Sequence, residues 1–179
     1  GFAATVAFVY VLQSNLSTTE TNSTLNLELK DVEQDIRDAS DANLLTLADA
    51  VAMTVPSTKE AESVDLAELA KAFDLAEIHV IDSNGIIVAS SGPEYIGFDM
   101  SSGEQAAEFL ALLPGGNKRR MAQDYQSISM DARIKRKDAG VTIKDGFVQV
   151  GYDATLFVND LSNEVRSSVA NRHLGHEGL

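Results

Sequence analysis

Hydrophobic positions recur with a helical period in the first third of the chain. From Leu25 onward they are separated mainly by steps of three and four residues: Leu25, Leu29, Val32, Ile36, Ala39, Leu44, Leu47, Ala48 and Val51. Residues three and four apart lie on the same face of a helix, so the spacing predicts one long helix over about 23–54. Pro56 ends this helix, because proline cannot donate a helical hydrogen bond.

Three shorter helices are predicted from the same period, over about 65–73, 102–113 and 155–171. Two serine–glutamate pairs have the spacing of a capping box, namely Ser57 with Glu60 and Ser101 with Glu104. We expect the second pair to begin the helix over 102–113, which ends at Pro114.

A β-hairpin is predicted in the stretch IHVIDSNGIIVASSGPEYIGFDM, residues 78–100. Apolar residues flank a turn at 82–85, and its Asn84-Gly85 pair favours a type I′ turn with positive φ at both central residues. Three further strands are predicted over 121–128, 132–143 and 147–154, with a turn at 144–146 between the last two.

The predicted order is long helix, short helix, two strands, helix, three strands, helix. Strands joined by short turns form antiparallel sheets, and we expect the helices to collect on one face. The sequence therefore predicts an α+β fold in which a long N-terminal helix packs on a five-stranded antiparallel sheet. It contains no glycine-rich phosphate loop, which argues against a dinucleotide-binding fold.

The first residues, GFAATVAFVYVLQ at 1–13, are apolar and uncharged. A full membrane span needs about 20 such residues, so we interpret residues 1–16 as the outer end of a transmembrane helix. The polar run NLSTTETNST that follows abruptly is typical of a water interface. A buried core helix of ordinary length is the alternative interpretation.

Composition narrows the range of partners. The chain has 179 residues, of which 44% are hydrophobic, enough for one domain with a packed core. Its net charge of −13 argues against binding to nucleic acid or to an anionic membrane surface, since both attract clustered Lys and Arg. The chain has no cysteine, so disulfides, thiol catalysis and thiolate metal sites are excluded.

Three stretches resemble the extracytoplasmic PAS-like sensor modules called Cache domains. EIHVIDSNGIIVASS with YIGFDM, at 77–91 and 95–100, is similar to their opening hairpin and the loop after it. KDAGVTIKDGFVQVGYDA, at 137–154, is similar to the closing hairpin of a Cache subset from membrane-bound signalling phosphatases and kinases. NRHLGHEGL, at 171–179, resembles the connector that leads to a second lobe.

The resemblance implies that residues 17–171 form the membrane-distal lobe of a double Cache sensor and that residues 172–179 begin the connector. It implies a bacterial membrane receptor whose sensor lobe lies outside the cytoplasm, in the periplasm or outside the cell. A small-molecule ligand would bind the concave sheet face, and the signal would pass to a cytoplasmic kinase, phosphatase, cyclase or chemoreceptor output. The lobe itself is then not an enzyme, and the first heptads of the long helix favour a homodimer.

Polar groups that interrupt apolar strands are the candidate ligand-binding residues. Tyr152 and Asp153 close the last strand, and Asp124 and Tyr125 lie in the third. Tyr95 lies in the loop before the helix over 102–113, where it is either a pocket lid or a residue packed on the domain edge.

Three basic residues, Arg133, Lys135 and Lys137, alternate along the fourth strand and therefore share one face. On the pocket side they suit an anionic ligand such as a carboxylate, and on the outer side they form a solvated stripe. The resemblance implies a role for Asp153, because amino-acid-binding Cache sensors hold the ligand's ammonium group with an aspartate after the last strand. Their tryptophan-containing carboxylate-binding run has no counterpart, since EQAAEFLALL stands in its place.

Metal and hydrolase chemistry are weakly indicated. His173 and His176 are three residues apart, and Gly175 interrupts the helix, whereas the zinc-protease motif needs two histidines four apart on one helical face. His79 lies within a strand, on the face that we expect to point away from the core. No Gly-x-Ser-x-Gly motif occurs, so we predict neither a metal nor a cofactor.

Two other functions stay open on the sequence alone. A ligand-free Cache-like lobe would act as a spacer or dimer contact, and its inner sheet face would be fully packed. A pilin-type structural subunit would also join an apolar N-terminal helix to an antiparallel sheet. Pilins normally carry a glutamate five residues into that helix, where this chain has Val6.

Overall fold

The computed structural model describes residues 19–124, 126–128 and 131–154. The side chains at 19–30, 32–33, 36–37, 126–128 and 131–134 lie outside this description. The predicted membrane segment at 1–16, the final helix at 155–171 and the connector at 172–179 also lie outside the described residues.

The long N-terminal helix is present as α1, Thr19–Thr54. It ends where the sequence predicted, just before Pro56, and begins four residues earlier than the predicted position 23. Contacts divide the chain into two units, and the unit Asp41–Ala154 contains the second part of α1 and the whole sheet. Within the described residues, we find no helix with both the length and the apolar character that a membrane span requires.

Two short helices follow α1: α2 at Thr58–Ala61 and α3 at Leu66–Ala72. Ser57 Oγ lies 3.1 Å from Glu60 Oε2, but it makes no side-chain hydrogen bond to the start of α2. The carboxylate of Asp145 takes that role, because it accepts the Thr58 backbone N–H at 2.9 Å. The turn between the last two strands is thereby tied to the beginning of α2.

In the described part of the chain, six strands form one antiparallel sheet: β1 Glu77–Asp82, β2 Ile87–Ser90, β3 Arg120–Ala122, β4 Gln126–Ile128, β5 Asp131–Ile143 and β6 Gly146–Asp153. The order across the sheet is β2-β1-β6-β5-β3, and β4 also pairs with β5. The predicted third strand over 121–128 is thus divided into two short strands at one position of the sheet. The α+β class and the five-position antiparallel sheet are confirmed, and both are consistent with a PAS-like fold.

The first hairpin turns differently from the predicted type I′ geometry. Gly85 has a φ of 79°, whereas Asn84 does not have a positive φ. The carboxylate of Asp82 organises the turn instead, because its Oδ1 atom accepts the N–H groups of Asn84 at 2.9 Å and Ile86 at 3.0 Å. One glycine in the left-handed region therefore suffices, as in a type I turn followed by a glycine bulge.

The segment predicted as a helix over 102–113 is less regular. It consists of 3-10 turns at Met100–Ser102 and Glu108–Leu112 on either side of a short helix, α4, Glu104–Ala107. Asp99, rather than Ser101, caps the first turn, since its Oδ1 atom accepts the Ser101 N–H at 2.9 Å. A further 3-10 turn, Pro93–Tyr95, follows β2.

The two faces of the sheet have separate hydrophobic cores. One core joins α1 and α3 to alternate sheet residues, including Leu44, Val51, Ile78, Val80 and Val150. The other joins the sheet to the segment after β2 and contains Ile81, Ile87, Met100, Phe109, Leu112 and Phe147. The expectation that all helices lie on one face is therefore wrong, because side chains at 100–112 bury the opposite face.

Candidate functional site

A pocket of about 470 Å³ lies on the sheet face opposite α1. Polar side chains of β1, β5 and β6 form its floor: Glu77, His79, Asp138 and Gln149. The segment after β2 supplies most of its wall: Glu94, Tyr95, Phe98, Met100, Gln105, Ala106 and Phe109. Its size and its mixture of apolar walls with a few polar groups are typical of a small-molecule site.

Strand register brings the floor residues together from distant parts of the sequence. Glu77 on β1 and Asp138 on β5 are both paired with Gly151 on the central strand β6. His79 is paired with Gln149 on the same face, two residues further along both strands. Alternating residues of a strand point to the same side, so these side chains converge.

His79 is held between Ser90 and Glu77. Ser90 Oγ accepts the Gly92 N–H at 3.0 Å and lies 2.8 Å from His79 Nδ1. The other ring nitrogen, Nε2, lies 3.5 Å from Glu77 Oε2. The chain of contacts orients both His79 and Glu77 at the pocket floor.

Glu77 stays ionised although it is largely buried. Burial raises its pKa, but the hydrogen bond and charge of His79 and the charge of Arg136 outweigh burial and hold the pKa below its usual range. The pocket floor therefore carries the ionised carboxylate of Glu77 beside the imidazole of His79 at neutral pH.

Asp138 has the opposite environment. Burial, reinforced by the charge of Glu77, raises the pKa of Asp138 from 3.8 to about 7, although Arg136 and a hydrogen bond from Gln149 act in the other direction. Its Oδ1 atom and the Oε1 atom of Gln149 are buried without a hydrogen-bond partner among the described residues. Two acceptor atoms at the pocket are thus left unsatisfied.

Gln123 fixes the wall of the pocket to the sheet. Its backbone N–H donates to the Asp138 carbonyl at 2.8 Å. Its side-chain Nε2 donates to the Gln105 carbonyl at 2.8 Å and to Glu108 Oε2 at 2.7 Å. The segment around α4 is therefore anchored to the strand edge beside Asp138.

Two of the residues singled out from the sequence lie on the pocket face. Tyr95 lines the pocket, and its ring lies edge-on to His79 with the ring centroids 4.9 Å apart. Asp153 follows Gly151 by two residues on β6, and its Oδ2 atom lies 3.6 Å from Nη1 of Arg136. Arg136 lines a neighbouring groove of about 560 Å³, which also contains Glu77 and Tyr95.

Three others do not line this pocket. Lys137 is buried on the face towards α1, where it forms an ion pair with Asp41. Its strand partner Tyr152 packs against the same helix-side core. Lys135 shares that face by alternation and is exposed. Lys135 and Lys137 of the predicted basic stripe therefore lie on the helix side of the sheet, and the ligand-binding role of the stripe stays a prediction.

The remaining three candidate residues are an exposed aspartate and two residues that are wholly or partly outside the described part of the chain. Asp124 is exposed between β3 and β4. Tyr125 lies outside the described residues, and Arg133 belongs to β5 but its side chain is not described. His173, His176 and Glu177 are likewise outside them. In the described part of the chain, no group of three or more metal-binding side chains could hold a metal ion.

The sequence interpretation missed Glu77, Asp138 and Gln149 as pocket residues. His79 does lie on the face away from α1, but it is buried there rather than solvated. The sequence feature that could have pointed to these residues is Gly151, because a glycine inside an apolar strand often marks a place where other groups approach closely. That signal identifies the neighbours only when the register is known.

No family model and no curated protein matches the chain. Among solved structures, the chain is similar to an extracellular ligand binding receptor from Desulfohalobium retbaense DSM5692, with 18% sequence identity and a TM-score of 0.43. The similarity covers 84% of this chain but 26% of that receptor, so the chain spans about a quarter of the receptor's length.

Proposed function

We propose that the unit Asp41–Ala154 is a sensor domain that binds a small molecule in the pocket above β1, β5 and β6. The observation that carries this proposal is a pair of buried acceptors, Asp138 Oδ1 and Gln149 Oε1, that have no hydrogen-bond partner in the described part of the chain and belong to residues lining a pocket of about 470 Å³. A buried polar group without a partner costs free energy, about 1–3 kcal/mol. A ligand that donates hydrogen bonds to these atoms would recover that energy.

The wider role of the domain follows from the resemblance of its two hairpins to those of Cache sensors. On this proposal it is the extracytoplasmic part of a bacterial membrane receptor, and ligand binding is relayed through flanking helices to a cytoplasmic output domain. The PAS-like sheet order supports this role. Membrane anchoring through residues 1–16 and a homodimer through the N-terminal helix belong to the same proposal.

The pocket favours ligand binding over the alternative of a ligand-free spacer. A spacer was expected to have a fully packed inner sheet face, whereas here three acidic side chains and three glutamines line a cavity. For the pilin-type alternative the discriminating position, Val6, lies outside the described residues.

Thermal unfolding of the 179-residue chain with a panel of amines, amino acids, carboxylates, purines and sugars tests the proposal. A ligand that binds only the folded state stabilises it by about 2.7 kcal/mol at a hundredfold excess over its dissociation constant. We expect a rise of several degrees in Tm with at least one class of compound. A well-folded chain whose Tm responds to none of them would contradict the proposal.

A variant that fills the pocket provides the control. Ala106 lines the pocket, and Ala106→Phe should abolish the ligand-induced rise in Tm. Ala72→Phe adds the same ring at an exposed position at the end of α3 and should leave the rise unchanged. Equal responses of the two variants would place binding elsewhere.

A further inference from the structure

We propose that the ligand of this pocket is an organic cation, such as a primary or quaternary amine, held between the carboxyl groups of Glu77 and Asp138. This inference rests on the proposed function and specifies the chemical class of its ligand. It rests on several groups that converge on one cavity: the two carboxyl groups, the aromatic wall and the Gln149 Oε1 atom, which has no hydrogen-bond partner among the described residues.

The two carboxyl groups approach each other across a glycine. A Cβ atom at Gly151 would lie 2.3 Å from Asp138 Oδ1 and 3.2 Å from Glu77 Oε1. Contacts this short exclude any side chain at position 151 unless the carboxyl groups move apart. The absence of a side chain in the central strand therefore allows acidic groups from both neighbouring strands to face the same space.

The charge of the pocket is negative. Among the described residues that line it, Glu77, Glu94 and Asp138 are acidic and His79 is basic, and there is no Lys or Arg. The nearest described guanidinium, that of Arg136, lines the neighbouring groove and pairs with Asp153. An anionic ligand would meet these carboxylates without a cation of its own in the pocket, and this would be unfavourable.

An unsatisfied amide and several aromatic rings point to the same ligand class. Gln149 is 7% exposed, and its Oε1 atom has no hydrogen-bond partner among the described residues. An ammonium group donates up to three hydrogen bonds and accepts none, so it complements this acceptor together with the carboxylates. The rings of Tyr95, Phe98 and Phe109 line the same pocket, and aromatic faces attract organic cations.

Cation binding should release a proton from Asp138. The charged and titratable groups around this side chain are Glu77 and His79 on β1, Arg136 on β5, Asp153 on β6, and Glu94 with Tyr95 after β2. Their combined effect and burial raise the pKa of Asp138 to about 7, so the empty pocket holds a partly protonated carboxyl group at neutral pH. An arriving cation favours the ionised form, and the O–H proton passes to solvent.

The direction in which ligand affinity changes with pH distinguishes a cationic ligand from an anionic one. Affinity for a cation should fall by about tenfold between pH 8 and pH 6, as protonation removes one of the two negative charges. A ligand that requires the protonated carboxyl as a donor, such as a carboxylate, would bind more tightly at pH 6. The two ligand classes therefore predict opposite trends.

Isothermal titration calorimetry with matched probes tests this inference. We would titrate choline against its uncharged isostere 3,3-dimethyl-1-butanol, putrescine against 1,4-butanediol, and succinate as the anion. At least one amine should bind, with the tenfold pH dependence, while its uncharged isostere does not. Binding of the alcohols or succinate instead of the amines would overturn the inference but keep the proposed function. A chain that binds no amine, and no compound of the wider thermal panel, would overturn both.

Variants identify the groups that hold the cation. Asp138→Asn preserves shape and should weaken amine binding about tenfold or more at pH 8 and remove its pH dependence. Asp35→Asn changes an exposed carboxylate on α1, which is not among the pocket-lining residues, and should alter neither. Glu77→Gln provides a second isosteric test should Asp138→Asn misfold. Unchanged affinity in a folded variant at either position would contradict the assignment.

Discussion

Asp138 lies in an environment that disfavours its charged form. Its neighbours in sequence are the buried Lys137, which faces α1, and Ala139, which packs in the helix-side core. Asp138 itself points to the other side, towards Glu77 and Gln149. One strand thus places a cation and an acid on opposite faces of the sheet, so adjacent charges in the sequence do not neutralise each other.

The raised pKa of Asp138 predicts a pH-dependent effect on stability. The folded-state pKa of about 7 exceeds the ordinary value of 3.8, so the stability that the proton provides is fully present below pH 3.8 and is lost progressively as pH rises from 3.8 to about 7. Asp138→Asn avoids this loss, and its free energy of unfolding relative to the parent chain should increase by roughly 2.5 kcal/mol between pH 5 and pH 8. Urea unfolding at both pH values measures the change. A difference that stays constant, or that decreases, would contradict the burial argument.

Sequence analysis identified Tyr95 but not the carboxyl pair, and the reason is physical. Tyr95 follows a recognisable hairpin within one local stretch, whereas Glu77 and Asp138 are 61 positions apart in the sequence. They meet only because β6 lies between β1 and β5 with Gly151 opposite both. Period-two alternation predicts that Arg133, Lys135 and Lys137 share one face, but it does not state which face of the sheet is covered by the long helix.

At the scale of elements, the helical period and the turn signals predicted the long helix and both hairpins. The irregular parts depend on tertiary contacts. The segment 102–113 has helical spacing, yet part of it is a 3-10 turn. This turn places Phe109 and Leu112 in the same hydrophobic core as Phe147 and Ile81. The third strand is divided next to Gln123, whose side chain donates to the Gln105 carbonyl in the segment around α4.

The contact between α1 and β5 includes an ion pair whose two side chains differ in exposure to solvent. The Lys137 side chain is 1% exposed, whereas the Asp41 side chain is 39% exposed. Asp41→Ala leaves a buried ammonium without its carboxylate and should cost about 2–4 kcal/mol of unfolding free energy. Lys137→Met leaves a carboxylate that water can solvate and should cost less than half as much. Denaturant unfolding of both variants measures this, and a larger loss for Lys137→Met would contradict the asymmetry.

At the scale of the whole molecule, the net charge of −13 and the long apolar-striped helix have opposite consequences for self-association. Repulsion between acidic surfaces opposes dimers, while the apolar stripe that begins at Leu25 favours pairing of two N-terminal helices. We predict that the stripe prevails and that the 179-residue chain is a dimer whose association strengthens with added salt, because salt screens the repulsion.

Light scattering coupled to size exclusion tests the dimer directly. Leu25→Glu with Leu29→Glu places charges on the predicted stripe and should yield monomers, whereas Asp31→Glu preserves charge and should not. A monomer at all salt concentrations, or a dimer that survives the double substitution, would show that the helix does not mediate pairing.

The central claim is that the pocket opposite α1 binds a small molecule. The most direct measurement is an amide NMR titration of the isotope-labelled chain with the compound that gives the largest rise in Tm. We predict that the chemical shifts change at His79, Gln149 and Gly151 on the pocket side of the sheet. Lys137 and Lys135, which lie on the helix side, should change little. Shifts concentrated at Lys135, Lys137 and Tyr152 instead, with the pocket residues unaffected, would contradict the account.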